Sequence, residues 1–160
     1  MITISQADRD QAYRAQTTVF AIVGGPRTGK SALARAMCDA SSDCYLADRH
    51  STAAGIRNSA QKFVLLEVEE MSDESTNEIV RACGQSDRAI CLVGSQRSVG
   101  LCDLYVDLDL PALQQRVGDP VFAAGLFAAL SAINRGIYDD AVHGVLAGAD
   151  PDIRAILSAT

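Results

Sequence analysis

With 160 residues and a formal net charge of −6, the chain is long enough for one hydrophobic core and short for two ordinary domains, so a single domain is expected over residues 1–160. Apolar residues make up 48% of it, charges of both signs are scattered through it, and no run of 18 or more apolar residues occurs, which excludes a membrane-spanning helix in the sequence. The acidic balance, with a pI near 4.8, argues against a broad basic face that coats nucleic acid, while leaving room for a few arginines on one loop.

The first stretch, "MITISQADRDQ", is polar and acidic where an export signal is basic and then apolar, so a cytoplasmic protein is expected. Short apolar runs then alternate with amphipathic stretches, the pattern of βαβ units and a mainly parallel sheet. Strands are predicted at 18–24, 44–48, 63–69, 89–95 and 104–110. A helix is predicted over 29–40, with Leu33, Ala34 and Met37 on one side. Another follows Ser72, which is placed to cap it, with Asp73 and Glu74 in the first turn.

After Pro111 the character becomes helical, in "ALQQRV", "PVFAAGLFAALSAINRG" and "DPDIRAIL". Asp119-Pro120 and Asp150-Pro151 read as helix starts. The run "VFAAGLFAAL" is too short to span a membrane and reads as a buried core helix. The expected fold is therefore α/β: a three-layer sandwich on a five-stranded, mainly parallel sheet, with a core over about 17–110 and a helical extension over 111–160. The five cysteines, Cys38, Cys44, Cys83, Cys91 and Cys102, are odd in number and form no C-x-x-C pair, so buried reduced thiols are expected.

The chemistry concentrates where the first strand ends, in "TTVFAIVGGPRTGKS". Gly24, Gly29, Lys30 and Ser31 fit G-x-x-x-x-G-K-[ST] without departure. Glycines let consecutive backbone N–H groups turn inward as a nest, and the following helix adds its positive N-terminal end. A plain turn has no need of a lysine in the first helical turn, where it opposes the helix dipole. The match resembles the Walker A loop of the P-loop NTPases, which implies that Gly24, Gly25, Pro26, Arg27, Thr28, Gly29, Lys30, Ser31 and Ala32 hold a nucleoside triphosphate, most often ATP. It further implies that Lys30 meets the outer phosphates and Ser31 offers its hydroxyl to Mg²⁺.

A nucleotide-hydrolysing site also needs an acidic residue at a neighbouring strand end. "KFVLLEVEEM" supplies Glu67, Glu69 and Glu70. In a continuous strand Glu67 and Glu69 share one face and Glu70 faces the other way. By resemblance to extra-strand (ASCE) ATPases, Glu69 is expected on the metal side, with Glu67 as the alternative, and Glu70 as the base that orients water. The segments "FVLLEVEEM", "RACGQSDRAICLVGSQRS" and "CDLYVDLDLP" resemble the order found in FtsK/HerA-like motor ATPases. That implies Gln96 reaching toward the γ-phosphate, and Arg88 and Arg97 as arginine-finger candidates if subunits assemble.

These features lead to an expected Mg-dependent ATPase acting on a macromolecular partner, as a homo-oligomer or as a subunit of a larger complex. Two alternatives stand beside it. One is a small-molecule kinase, since "GGPRTGKS" also resembles the GG-x-R-S-G-K-S loop of some metabolite kinases, with Asp48 or Arg49 near the acceptor. The other is a nucleotide-binding subunit without hydrolysis. His50 and His143 are the two histidines; His50, at a strand end, could face a ligand but reads rather as a solvated loop residue, and Gly55 and Gly100 read as helix or loop punctuation. Asp107 and Asp109 are expected on one face of an exposed edge strand, without chemistry. Sheet order separates the classes: an acidic strand directly beside the first strand counts against the motor reading.

Overall fold

The computed structural model describes residues 19–86, 88–95, 99, 102, 104–134 and 150–158. Five strands, β1 (Val19–Val23), β2 (Cys44–Ala47), β3 (Phe63–Glu67), β4 (Ala89–Gly94) and β5 (Leu104–Asp107), form one sheet. Its order is β2-β3-β4-β1-β5, and every pairing is parallel. The acidic strand β3 is therefore not beside β1; β4 runs between them. Both faces of the sheet are covered, which is why β1, β3 and β4 read as nearly continuous apolar runs.

Six helices fill the described connections: α1 (Lys30–Asp39), α2 (Ala53–Asn58), α3 (Asp73–Gln85), α4 (Pro111–Gln114), α5 (Pro120–Asn134) and α6 (Pro151–Ser158). Strand alternation divides the core in two. Phe20, Ile22, Phe63, Leu65 and Val93 point to one face, where Leu33 and Met37 of α1, Phe122 and Leu126 of α5, and Ile153 of α6 meet them. Val19, Ala21, Val64, Leu66 and Leu92 point to the other, against Ile56 of α2 and Ile79, Val80 and Cys83 of α3. Helices on both sides of the sheet are compatible with the three-layer arrangement. Phe20 stacks on Phe63 at 5.9 Å between ring centroids, and Phe127 tilts onto Phe63 at 5.1 Å.

The helix starts follow the predicted chemistry. Ser72 Oγ accepts the Ser75 N–H at 3.1 Å. Asp119 accepts from Val121 N–H at 2.9 Å, and Asp150 from Asp152 N–H at 2.9 Å, so each aspartate satisfies an otherwise orphan donor. Arg116 then ties the two helical corners together, pairing with Asp119, Asp150 and Asp152 and lying 4.7 Å over the Phe122 ring.

Four expectations are corrected. β3 stops at Glu67 and Val68–Glu70 form a 3-10 turn, because β4, its longer neighbour, is paired only as far as Glu67↔Val93 on that side and Val68 is drawn fully into the core. β5 likewise ends at Asp107, so Asp109 lies in a turn and not on the strand face. "ALQQRV" is helical for one turn only. Helix α2 went unpredicted; Thr52 caps it through the Gly55 N–H. All five cysteines are free, but only Cys83 and Cys91 are buried, with Cys38, Cys44 and Cys102 half-buried. Among the described residues no helix is long and apolar enough to cross a membrane.

Candidate functional site

β1 delivers the chain at Val23 to a loop, Gly24–Gly29, and α1 begins at Lys30. Gly29 caps α1 in a left-handed conformation, φ 91°, and a Cβ there would lie 2.6 Å from Val117 Cγ1. At Gly24 the demand is space alone, since a Cβ would fall 2.6 Å from Thr28 Oγ1. Arg27 also has positive φ, 62°, a conformation that costs a residue with a side chain about 1 kcal/mol or more and that tends to be held where a loop is built for contact.

The lysine sits inside this loop. Lys30 Nζ donates to Gly24 O at 2.9 Å and to Gly25 O at 2.8 Å. Thr28 Oγ1 donates to Gly25 O at 2.9 Å, and Gly25 N–H donates outward to Asp109 Oδ1 at 2.9 Å. Residues Pro26 to Ala32 and Glu69 line one cleft of about 310 Å³. Glu69 is held there by the Ser95 N–H, 2.7 Å from its Oε1. That approach depends on Gly94, where a Cβ would meet Val68 Cγ2 at 2.7 Å and Glu69 Cγ at 3.4 Å.

The structure distributes the other expected residues less compactly. Glu70 lines a second cleft, of about 400 Å³, with Asp48, Arg49 and His50. In it His50 N–H donates to Asp48 Oδ1 at 2.8 Å and Arg49 Nε to His50 Nε2 at 3.3 Å. Glu67 is half-buried at the end of β3, on the sheet face it shares by alternation with Phe63 and Leu65, the face covered by α1. Gln96, Arg97, Gly100 and His143 lie outside the described residues. Among the described residues no three His, Cys, Asp or Glu side chains are grouped so that they could hold a metal ion.

Arg88 has a different role from the one expected. It is 4% exposed and donates to the carbonyls of Gln61 at 2.8 Å, Ser59 at 2.7 Å and Arg57 at 3.3 Å. A guanidinium committed to three backbone acceptors of its own chain is a clamp on the α2–β3 connection, not a group extended toward a neighbouring subunit. Three contributors escaped the sequence reading: Asp109 as a partner of the loop, Thr28 as its brace, and Gly94 as the gap that admits Glu69. An aspartate two residues beyond an edge strand and a glycine at a strand end are the signals, but neither is specific before strand order is known.

A separate apolar cleft of about 310 Å³ lies between β5, α4 and α6, lined by Tyr105, Leu110, Leu113 and Ile156 with the carboxylates of Asp107 and Asp152. None of its lining side chains is basic. Comparison with protein-family models, with curated proteins and with solved structures finds no match for this chain.

Proposed function

We propose that this chain is a nucleoside triphosphate-binding P-loop protein, a Mg-dependent ATPase of the extra-strand class that couples hydrolysis to action on a macromolecular partner. The observation that carries the reading is the single cleft that Lys30, Ser31 and Glu69 line together with the rest of the stretch from Pro26 to Ala32. The separation of β3 from β1 by β4 supports the extra-strand class over one in which the acidic strand adjoins the loop strand.

The donors fit the ligand. Lys30 holds two loop carbonyls, neutral acceptors that phosphate oxygens would replace with bonds charged on both sides, and the two motif glycines allow Thr28 and Val117 to pack directly against the loop backbone. Bound magnesium supplies charge neutralisation at the phosphates and needs few protein ligands, being satisfied by one or two side chains with water and phosphate. Ser31 and Glu69, with Glu67 as the alternative, are the side chains assigned to it. Glu70, which lines the second cleft, is assigned to orient the attacking water, and Gln96 to sense the γ-phosphate.

The second cleft favours one competing reading. Asp48, Arg49, His50 and Glu70 are a polar set at the carboxyl ends of β2 and β3, where α/β sheets commonly bind ligands, and they suit an acceptor in a small-molecule kinase. Phosphate release from Mg-ATP by the purified protein, without added acceptor, separates the two. The ATPase reading expects release that Lys30→Ala abolishes and Glu70→Gln stops with nucleotide binding retained. Binding without release, at any protein concentration, favours the non-hydrolysing subunit; release unaffected by Lys30→Ala refutes the site.

A further inference from the structure

The turn after β5 touches the loop at a point whose geometry bears on Lys30. Gly25 N–H and Gly24 C=O belong to one planar peptide unit and point in opposite directions. Asp109 Oδ1 takes the N–H at 2.9 Å, and Lys30 Nζ takes the carbonyl at 2.9 Å. A carboxylate and an ammonium thus grip the two ends of the same peptide dipole, each in the orientation that dipole favours.

The carboxylate is itself held in place. Asp109 N–H donates to Asp107 Oδ1 at 3.0 Å, Leu108 N–H donates to Val23 O at 2.8 Å, and Leu108 Cβ would stand 3.3 Å from a Cβ on Gly24. The turn is therefore fixed to the end of β1, and its position relative to the loop is set by the sheet. A glycine pair has more rotational freedom than any other dipeptide, so without this contact only Lys30 and Thr28, through the Gly24 and Gly25 carbonyls, oppose a flip that presents the 24–25 N–H, not its carbonyl, toward the lysine.

We propose that Asp109 is a positioning residue for Lys30: through the Gly24–Gly25 peptide it fixes the carbonyl that orients the ammonium, and so pre-sets the loop for phosphate. The inference rests on the nucleotide-binding reading above. The side chain does not itself reach the cleft that Lys30 and Glu69 line, and its contribution is to the geometry of the group that does.

Mg-ATP affinity of the full chain tests it, measured by calorimetry for wild type, Asp109→Ala and Asp109→Asn, with thermal melts of each. Asparagine keeps an acceptor oxygen and loses the charge. The expected result is a loss of about tenfold in affinity for Asp109→Ala, the scale of one oriented charge-assisted contact, with Asp109→Asn within about threefold of wild type and the melting temperatures of both close to wild type. Hydrogen exchange at the Gly25 amide gives a readout that needs no nucleotide: slow in wild type and Asp109→Asn, fast in Asp109→Ala. Unchanged affinity in Asp109→Ala, or equal losses in the two variants, overturns the inference and leaves the nucleotide reading standing. Failure of the wild type to bind Mg-ATP overturns the reading and the positioning role together.

Discussion

Replacing Gly24 by alanine places a methyl group 2.6 Å from Thr28 Oγ1 and 3.3 Å from both Thr28 Cβ and Leu108 Cβ. Optimal heavy-atom separations are about 3.5–4.0 Å, so something must move. Thr28 cannot rotate away cheaply, because it is β-branched and its hydroxyl is bound to Gly25 O at 2.9 Å. Overpacking of this kind costs about 1–3 kcal/mol. Loss of glycine freedom in the unfolded chain returns about 0.4–1 kcal/mol, so sterics win and Gly24→Ala is expected to destabilise by about 1–2 kcal/mol. For a chain of this size that is roughly a 4 °C fall in melting temperature. Thr28→Ala removes one hydrogen bond, at about 1 kcal/mol, and also removes the atom the new methyl strikes. Urea unfolding of the two single variants and the double variant is therefore expected to show the double at least about 1 kcal/mol more stable than the sum of the single effects predicts. Additivity within about 0.5 kcal/mol, the behaviour of independent sites, refutes the contact and with it the packing of the loop.

Arg88→Ala strands three carbonyls that a buried charged donor now satisfies, so a loss of about 3 kcal/mol or more in urea unfolding is expected. Arg88→Lys should recover less than half, lacking the planar fork; an Arg88→Ala protein of wild-type stability that had lost only turnover would return this residue to the finger role. Thiol labelling followed by mass spectrometry should modify Cys38 before Cys83 and Cys91: a hydrogen bond from Cys44 holds the Cys38 thiol below its ordinary range, whereas burial pushes Cys83 up to about 12 and raises Cys91 well above the ordinary value. The reverse order of labelling would contradict the packing of α3 and β4. Arg116 beside Asp150 holds that carboxyl below its ordinary 3.8. A depressed folded-state value means the stabilisation is complete above the unfolded value and fades as pH falls through the folded one, so the stability gap between wild type and Asp150→Asn should be constant well above 3.8 and narrow steadily as pH is lowered below it. A gap that does not narrow at all on that descent would show that the pair is not the source.

The loop was legible in the sequence because its requirements are local. Gly24, Gly29, Lys30 and Ser31 lie within eight residues, and the left-handed cap at Gly29 and the lysine over the loop carbonyls are set by near neighbours in the chain, although Val117 and Leu108 also crowd the two glycines. The buried strands and the capped helices were legible for the same reason: Ser72, Asp119 and Asp150 act within three residues of themselves. What stayed hidden was set by distant partners. Asp109 sits 84 positions from Gly25 along the chain, and only the placing of β5 beside β1 brings them together. Arg88 reads as a surface arginine near a helix end until the α2–β3 connection folds over it. The end of β3 was misread because alternation continues through "EVEE" on paper, whereas its pairing to β4 ends at Glu67↔Val93.

That early end determines how the acid reaches the loop. Neighbouring strands lie about 4.8 Å apart, so with β4 between them β3 runs roughly 10 Å from β1, too far for a glutamate on a straight continuation of β3 to reach the Gly24–Gly29 loop. The 3-10 turn at Val68–Glu70 closes the distance by folding across the end of β4. Val68 is fully buried and packs over Gly94, and Glu69 follows it to the Ser95 N–H at 2.7 Å. The gap one strand wide is thereby bridged by Glu69, which lines one cleft with Pro26 to Ala32. A side chain at Gly94 would lift the turn and withdraw the carboxylate. The position of the acid is thus a property of three strand ends together, and the glycine at the middle one governs how close Glu69 stands to Lys30.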